Sequence, residues 1–367
     1  MRRNNASGPF ESCHPDGTFG FAGTTDFTLS MVGGISIGTS SPTRRDLCAI
    51  VREAFGLGLV SARRFRTGLC HYVYDAVLTD GRQIVLRIAK PENAHYLVGA
   101  VYWSAILKPL GVPLPELLHV GIKPGRVAFP YIVLQRLPGK DLGEVYSGLS
   151  RLQKRTLAHR LAAIQHTVGK MPEGEGFGYQ SDPRKAPQHR TWSDAVEASI
   201  QRSERWIVEV GAVDGRRCAR LRRAADRFGA YFSRVRPRPF LGDITTKNVL
   251  VERGKLVGIV DVDEVCFGDW LAHLGLTRMA LLARKLPTDY VDFWCEALQL
   301  NEIELQALDF YTAESCLCFL GEQGRAFNQV RAATIKRSEI RRLEAIFDRL
   351  LPDRSRRLPA GNGLRRV

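Results

Sequence analysis

The stretch Phe240-Leu-Gly-Asp243-Ile-Thr-Thr-Lys247-Asn248-Val-Leu-Val251 is the most informative part of the sequence, and residues 252–269 continue it as ERGKLVGIVDVDEVCFGD. Asp243 and Asn248 lie five positions apart on a predicted loop that leads into a strand. An Arg-Gly turn follows, and a second strand then returns the chain to Asp261. One compact β unit is therefore expected to bring two carboxylates and a carboxamide together.

Carboxylate and carboxamide oxygens are hard ligands. They suit Mg²⁺, which keeps several waters and prefers carboxylates together with substrate phosphates. Phosphoryl transfer needs such a metal site, and it needs a base that orients a hydroxyl. A structural hairpin with surface acids is the alternative interpretation of the same residues.

The region before this stretch reads as a mixture of strands and helices. Residues 72–78 and 83–89 predict two strands, and the Thr79-Asp80-Gly81-Arg82 sequence between them predicts a hairpin turn. Residues 94–110 predict a helix, and residues 128–135 predict a further strand. The sequence Ser41-Pro42-Thr43 predicts the start of the first helix.

From about residue 150 the pattern becomes helical, with residues 239–260 as a short β insert. The expected fold class is α+β, with a small β-rich N-terminal lobe and a larger helical C-terminal lobe. Residues 1–42 predict a flexible leader, 43–137 the β-rich N-terminal lobe, 138–351 the helical lobe, and 352–367 a flexible basic tail.

Composition limits the class of protein. The chain has 367 residues, of which 44% are hydrophobic and 25% charged, as in ordinary globular proteins. No stretch is long and apolar enough to predict a membrane span. The eight cysteines show neither a disulfide framework nor zinc-ligand spacing, which favours reduced thiols in the cytoplasm.

The formal net charge of +15 is unevenly distributed, because residues 281–330 carry eight acidic and three basic side chains. A nucleic-acid partner would rest on net charge alone, and no nucleic-acid motif supports it. We therefore expect neither a nucleic-acid nor a membrane partner.

The D-x-x-x-x-N motif, the hairpin, the Asp-Val-Asp sequence and the Gly268-Asp269 pair together resemble the signature of the aminoglycoside phosphotransferase and choline kinase group. Members of that group share the two-lobed protein-kinase-like fold. The resemblance implies that Asp243 is the catalytic base. It also implies a structural role for Gly268-Asp269.

The same resemblance implies a metal site. Asn248 would be a metal ligand and Asp261 the principal Mg²⁺ ligand. Asp263 would be a further carboxylate on the metal side, or a structural one. The implied cofactors are ATP and Mg²⁺.

In the N-terminal lobe, Gly68 lies in a segment that resembles the turn covering the nucleotide, although a plain turn is the alternative. Arg87 holds the position of the lysine that binds ATP phosphates, and an arginine can bind phosphate in a bidentate manner. A surface strand cation is the alternative for Arg87. The hinge backbone at Gln135, Arg136 and Leu137 would meet the adenine edge.

Two departures from the family pattern stand out. Leu241 occupies the place of a histidine that braces the catalytic loop. The helix at 94–110 lacks the glutamate that normally pairs with the phosphate-binding cation, and the corresponding register reads Gly99-Ala100-Val101. A catalytically impaired nucleotide-binding pseudokinase or scaffold is therefore the alternative to an active phosphotransferase.

The implied substrate is a small molecule with a hydroxyl acceptor. The acidic side chains between 289 and 322 would suit a cationic acceptor such as an aminoglycoside or an amino alcohol. A solvated acidic helix face is the alternative. A protein kinase is disfavoured, because no Ala-Pro-Glu segment or long activation loop follows Asp261.

Overall fold

The computed structural model of the chain describes residues 41–65, 71–123, 127–182, 185–211, 213–324 and 335–352. Almost all of the predicted leader, residues 1–40, lies outside the described residues, as do residues 353–367 of the predicted tail. Among the described residues, no helix combines the length and apolar character needed to cross a membrane.

The N-terminal region is built around one antiparallel sheet. Its elements are α1 (Arg44–Phe55), β1 (Leu59–Arg64), β2 (Tyr72–Leu78), β3 (Gln83–Ile88), α2 (Ala94–Leu107), β4 (Leu117–Gly121) and β5 (Tyr131–Gln135). The strand order is β1-β2-β3-β5-β4. The predicted hairpin is β2–β3, whereas the edge strands β1 and β4 were not predicted, because each is half exposed and lacks a continuous apolar run.

The C-terminal region is mainly helical and carries two small sheets, as the α+β fold class requires. Its strands are β6 (Lys140–Asp141), β7 (Gly178–Gln180), β8 (Pro239–Phe240), β9 (Val249–Glu252), β10 (Lys255–Ile259) and β11 (Val265–Phe267). Its helices are α3 (Leu142–Val145), α4 (Arg151–Val168), α5 (Trp192–Val210), α6 (Arg216–Arg227), α7 (Gly229–Phe232), α8 (Leu271–Ala283), α9 (Asp289–Leu298), α10 (Glu302–Gly321) and α11 (Arg337–Leu350). Strands order as β10-β9-β6 and β7-β11-β8.

Helix α2 joins the two regions. Its first half packs on the sheet through Leu97 and Ala100, while Trp103 and Leu107 belong to the hydrophobic core of the helical lobe. The indole Nε1 of Trp103 donates a hydrogen bond to the carbonyl of Gln180, at 2.7 Å. The helix ends at Leu107 rather than at the predicted residue 110. It therefore fixes how closely the two lobes approach each other.

A buried polar network centres on Asp269, which lies just after β11. The carboxylate of Asp269 accepts hydrogen bonds from the Tyr231 hydroxyl at 2.7 Å and the Tyr311 hydroxyl at 2.8 Å. It also accepts from the backbone N–H of Leu271, at 3.0 Å, at the start of α8. Tyr311 accepts in turn from the Trp192 indole. Asp269 thus links α5, α7, α8 and α10 through one hydrogen-bond network, which is consistent with a structural role.

We predict that Asp269→Ala lowers the free energy of unfolding by about 2–4 kcal/mol, because it leaves buried hydroxyl groups without their acceptor. Thermal unfolding measures the change. The exposed Asp226 on α6 supplies the control, and Asp226→Ala should leave the Tm almost unchanged. Equal Tm values for the two variants would contradict the structural role of Asp269.

Candidate active site

The loop at 241–248 connects β8 to β9 and carries Asp243 and Asn248. The Asn248 side chain donates its Nδ2–H to the backbone carbonyl of Asp243, at 2.9 Å, which closes the loop on itself. The Thr245 hydroxyl lies 3.4 Å from Oδ1 of Asp243. The carbonyl of Asn248 accepts from the N–H of Val260, at 2.9 Å, and so holds the loop beside the strand that leads to Asp261.

These contacts bring the two acids and the amide together, as the hairpin predicted. Burial raises the pKa of Asp243 to about 8, and the negative charge of nearby Asp261 contributes to the rise. Lys247 and hydrogen bonds from Asn248 and Thr245 act in the opposite direction. Asp243 is half-buried, and it holds its proton more tightly than an exposed aspartate does.

The backbone of Leu241 is held by a side chain from α4. Oε1 of Gln165 accepts from the N–H of Leu241 at 2.9 Å, and Nε2 of Gln165 donates to its carbonyl at 3.0 Å. Gln165 is buried, and its Nε2 lies 3.5 Å from Nδ1 of His273. The leucine side chain packs in the core. A carboxamide thus braces the loop where the family pattern has a histidine in the loop itself.

His273 is a buried histidine with a structural role. Its Nδ1 lies 2.5 Å from the carbonyl of Trp270, and its ring packs against Trp294. Burial lowers the pKa of His273 to about 4, so the ring is neutral at physiological pH. A neutral ring donates from Nδ1 to this carbonyl without placing a charge behind the loop.

Asp261 follows β10 in an unusual backbone conformation. Its φ is +65°, in the left-handed region that few non-glycine residues adopt and that aspartate tolerates better than most. Its side chain is 48% exposed, so the carboxylate faces the space between the lobes. Residues held in sparsely populated backbone regions cluster at functional sites, because only the surrounding structure can maintain them.

Arg87 on β3 reaches across the cleft. Its Nη1 and Nη2 donate to Oδ1 and Oδ2 of Asp263, each at 2.5 Å, and Nη2 also contacts Asp261. Nε2 of His71 lies 3.1 Å from Oδ2 of Asp263. Arg87 is only 5% exposed, so it is not a surface strand cation. Between the two predicted roles of Asp263, these contacts favour the structural carboxylate.

The oxygen donors fit a magnesium site completed by substrate. Asn248 uses its amide N–H within the loop, so its side-chain oxygen is the atom suited to a cation. Asp261 presents an accessible carboxylate. The described residues hold no group of three or more His, Cys, Asp or Glu side chains arranged for a metal. One carboxylate and one amide oxygen are enough where phosphates and waters supply the other ligands of Mg²⁺.

Of the residues predicted to bind the nucleotide, Gly68 lies outside the described residues, whereas Gln135, Arg136 and Leu137 are described. At the hinge, the N–H of Gln135 donates to the carbonyl of Glu116, at 2.8 Å, and so serves the sheet. The Arg136 side chain pairs with Asp75 at 3.3 Å and also contacts the carbonyl of Leu137. The hinge is therefore stiffened by local contacts at all three predicted positions.

Tyr179 and Gln165 lie beside the site and were not identified by sequence analysis. A Cβ atom added to Gly242 would overlap the hydroxyl-bearing ring of Tyr179, so Tyr179 lies directly against the residue before Asp243. Among the missed residues only Gln165 gave a signal. It is a polar residue on the face of α4 that otherwise buries Leu161, Ile164 and Val168.

Three of the eight acidic residues in the 281–330 stretch are already paired with basic side chains of the protein. Asp289 pairs with Lys154 at 3.1 Å, and Asp309 with Arg278 at 2.5 Å. Glu296 pairs with Arg155. Basic residues of α4 and α8 therefore engage carboxylates that a cationic acceptor would otherwise meet.

Comparison with protein families gives one match. The model of the phosphotransferase enzyme family matches residues 61–311. None of the curated proteins is significantly similar to the chain in sequence.

Two solved structures illustrate the similarity of fold. One is a thermostable mutant of aminoglycoside phosphotransferase APH(4)-Ia in a ternary complex with AMP-PNP and hygromycin B. It has a TM-score of 0.60 and 17% identity over 83% of this chain and 98% of that one. The other is APH(2")-IIIa with GDP and kanamycin, with a TM-score of 0.60 and 14% identity over 82% and 97% of the two chains. Both share the protein-kinase-like fold expected from the sequence.

We predict that Gln165→Leu destabilises the 241–248 loop, because it removes two buried hydrogen bonds at nearly constant volume. The expected loss is about 2–3 kcal/mol in the free energy of unfolding, with faster amide hydrogen exchange in the loop. The exposed Gln201 on α5 provides the control, since Gln201→Leu should alter neither quantity. Unchanged exchange in the loop of Gln165→Leu would show that Leu241 packing alone holds it.

Proposed function

The chain belongs to the phosphotransferase enzyme family, and we propose on this basis that it transfers the γ-phosphoryl group of ATP to a hydroxyl of a small molecule. The observation that carries the proposal is the convergence of Asp243, Asn248 and Asp261 on one braced loop and the strand beside it. The cleft above them is the place where the N-terminal lobe presents Arg87.

Each residue has a distinct role in the proposed reaction. Asp243 orients the acceptor hydroxyl and takes up its proton, a task suited to a carboxylate held on a braced loop beside the metal ligands. Asn248 and Asp261 hold Mg²⁺, which when bound supplies positive charge that neutralises the phosphates. Arg87 binds the phosphates, in competition with its contact to Asp261.

The nucleotide would lie between the lobes, with the adenine at the hinge around Gln135 to Leu137. The lobe boundary would fall there, with residues 43–137 binding the nucleotide and residues 138–351 supplying the catalytic and metal loops. The reduced cysteines favour the cytoplasm as the compartment.

The family and the site both support a proposal for the acceptor class. Hygromycin B and kanamycin are bound in the two structures of similar fold, which supports a small hydroxyl-rich acceptor here. The internal ion pairs of Asp289, Glu296 and Asp309 favour the solvated helix face over a dedicated cation site for that part of the chain. We therefore propose a hydroxyl acceptor without requiring a positive charge on it.

A pseudokinase or scaffold is the second candidate, and one observation favours it. Arg87 contacts Asp261 directly, so the phosphate-binding cation and the proposed metal ligand neutralise each other. Nucleotide and metal together would have to compete with this contact. The two departures from the family pattern favour it less, because Gln165 holds the backbone of Leu241 and Asp263 pairs with Arg87.

We expect ATP with Mg²⁺ to raise the Tm of the wild-type protein, because a ligand that binds the folded state stabilises it by mass action. Saturation at a hundredfold excess over Kd would add about 2.7 kcal/mol. In Asp261→Ala the Mg²⁺-dependent part of the shift should disappear. No shift at millimolar nucleotide, with or without Mg²⁺, would favour a scaffold without nucleotide turnover.

Asp243→Asn should abolish turnover, by a factor of about 10³ or more, while nucleotide still raises the Tm. ADP release with a panel of aminoglycosides, amino alcohols and sugars measures turnover. Asp214→Asn, at an exposed carboxylate before α6, should retain full activity. Turnover in Asp243→Asn comparable to wild type would rule out this residue as the base.

A further inference from the structure

The side of α2 that faces the cleft has no carboxylate. Gly99 lies there, and a Cβ at this position would overlap the backbone oxygen of Asp263 and come within 2.9 Å of the Ser181 Cβ. No longer side chain fits at this point of contact. Where the family pattern has a helix glutamate as partner of the phosphate-binding cation, α2 here packs directly on the backbone of Asp263.

Arg87 nevertheless requires an anionic partner. A guanidinium group that is 5% exposed has lost most of its hydration, and an unpaired buried charge is strongly unfavourable. Both oxygens of Asp263 accept from Arg87, in a bidentate arrangement. The His71 ring contacts Oδ2 of the same carboxylate and fixes it from the other side.

We propose that Asp263 is the positioning residue for Arg87 and replaces the helix glutamate from the opposite lobe. The inference rests on the proposed function in one respect, which is that Arg87 binds nucleotide phosphates. Gly99 is part of the same arrangement, because only a glycine lets α2 approach the Asp263 backbone closely enough.

This arrangement couples two events that a glutamate on α2 would leave separate. Arg87 belongs to the N-terminal sheet, whereas Asp263 follows the metal strand of the helical lobe, 176 positions away in sequence. The cation is therefore aligned only while the lobes are closed on each other. Asp263 acts through Arg87, and Asp261 remains the carboxylate of the metal site.

A double-mutant cycle tests the pairing without any nucleotide. Arg87→Met and Asp263→Asn should each lower the Tm by several degrees, and the double variant should lower it little further, because each single change already breaks the pair. Additive losses of Tm would overturn the pairing as the basis of the position of Arg87.

Binding of ADP in the presence of EDTA separates positioning from metal ligation. We expect Asp263→Asn to weaken metal-free ADP binding about tenfold by titration calorimetry, to the level of Arg87→Met. Loss of a pure metal ligand would instead leave metal-free affinity unchanged or raise it, because a negative charge near the phosphates is removed. That result would overturn the proposal. Asp348→Asn, which breaks a remote pair with Arg217 and Arg220, controls for general destabilisation.

Gly99→Ala provides a test that leaves both charged partners intact. The added methyl group must push α2 away from Asp263, so metal-free ADP affinity should again fall about tenfold. Alanine favours helices over glycine, so a weakened helix cannot explain the loss. Wild-type affinity in Gly99→Ala would contradict the proposed role of this contact.

The proposed function can fail independently of this inference. If the wild-type protein binds no nucleotide, phosphate binding by Arg87 is wrong, and the Tm cycle still decides whether Asp263 positions it. If nucleotide binds and the cycle is additive, the function stands and the positioning role is wrong.

Discussion

A buried guanidinium group must be paired, and the join between the two lobes is organised around that requirement. Arg87 extends from a strand of the N-terminal sheet into a space where little water remains. The carboxylates that neutralise it come from the segment after β10, in the other lobe. Burial of this one charge therefore specifies the distance between the lobes, the orientation of the β3 side chain and the conformation of the 261–263 segment.

The loop with Asp243 depends on a second replacement of the same kind. In each case the family pattern places a supporting side chain close in sequence to the group it supports, and this chain takes the support from elsewhere. The carboxamide of Gln165 is well suited to its task, because one donor and one acceptor satisfy both backbone groups of Leu241. Neutral support also avoids a further charge beneath a loop that already contains Asp243.

The parts of the fold and of the site that depend on residues close in sequence could be predicted from the sequence. The turn at Asp80-Gly81 predicted the β2–β3 hairpin, and the spacing from Asp243 to Asp261 predicted a shared β unit. Gln165 and Leu241 are 76 positions apart, and nothing in either segment indicates their contact. The same holds for Gly99 and Asp263. The edge strands β1 and β4 were not predicted, because half-exposed strands lack the apolar runs by which buried strands are identified.

The contact between Gly99 and the Asp263 backbone also has an evolutionary consequence. A glutamate cannot be introduced at position 99 by a single substitution without displacing α2, because the space it would occupy is filled by the main chain of the opposite lobe. Asp263 cannot be exchanged first without a cost either, since Arg87 would lose its bidentate partner and keep only its contact with Asp261. Each position thus constrains which substitutions are tolerated at the other. A lineage that has adopted this pair is expected to retain both residues together or to lose both together.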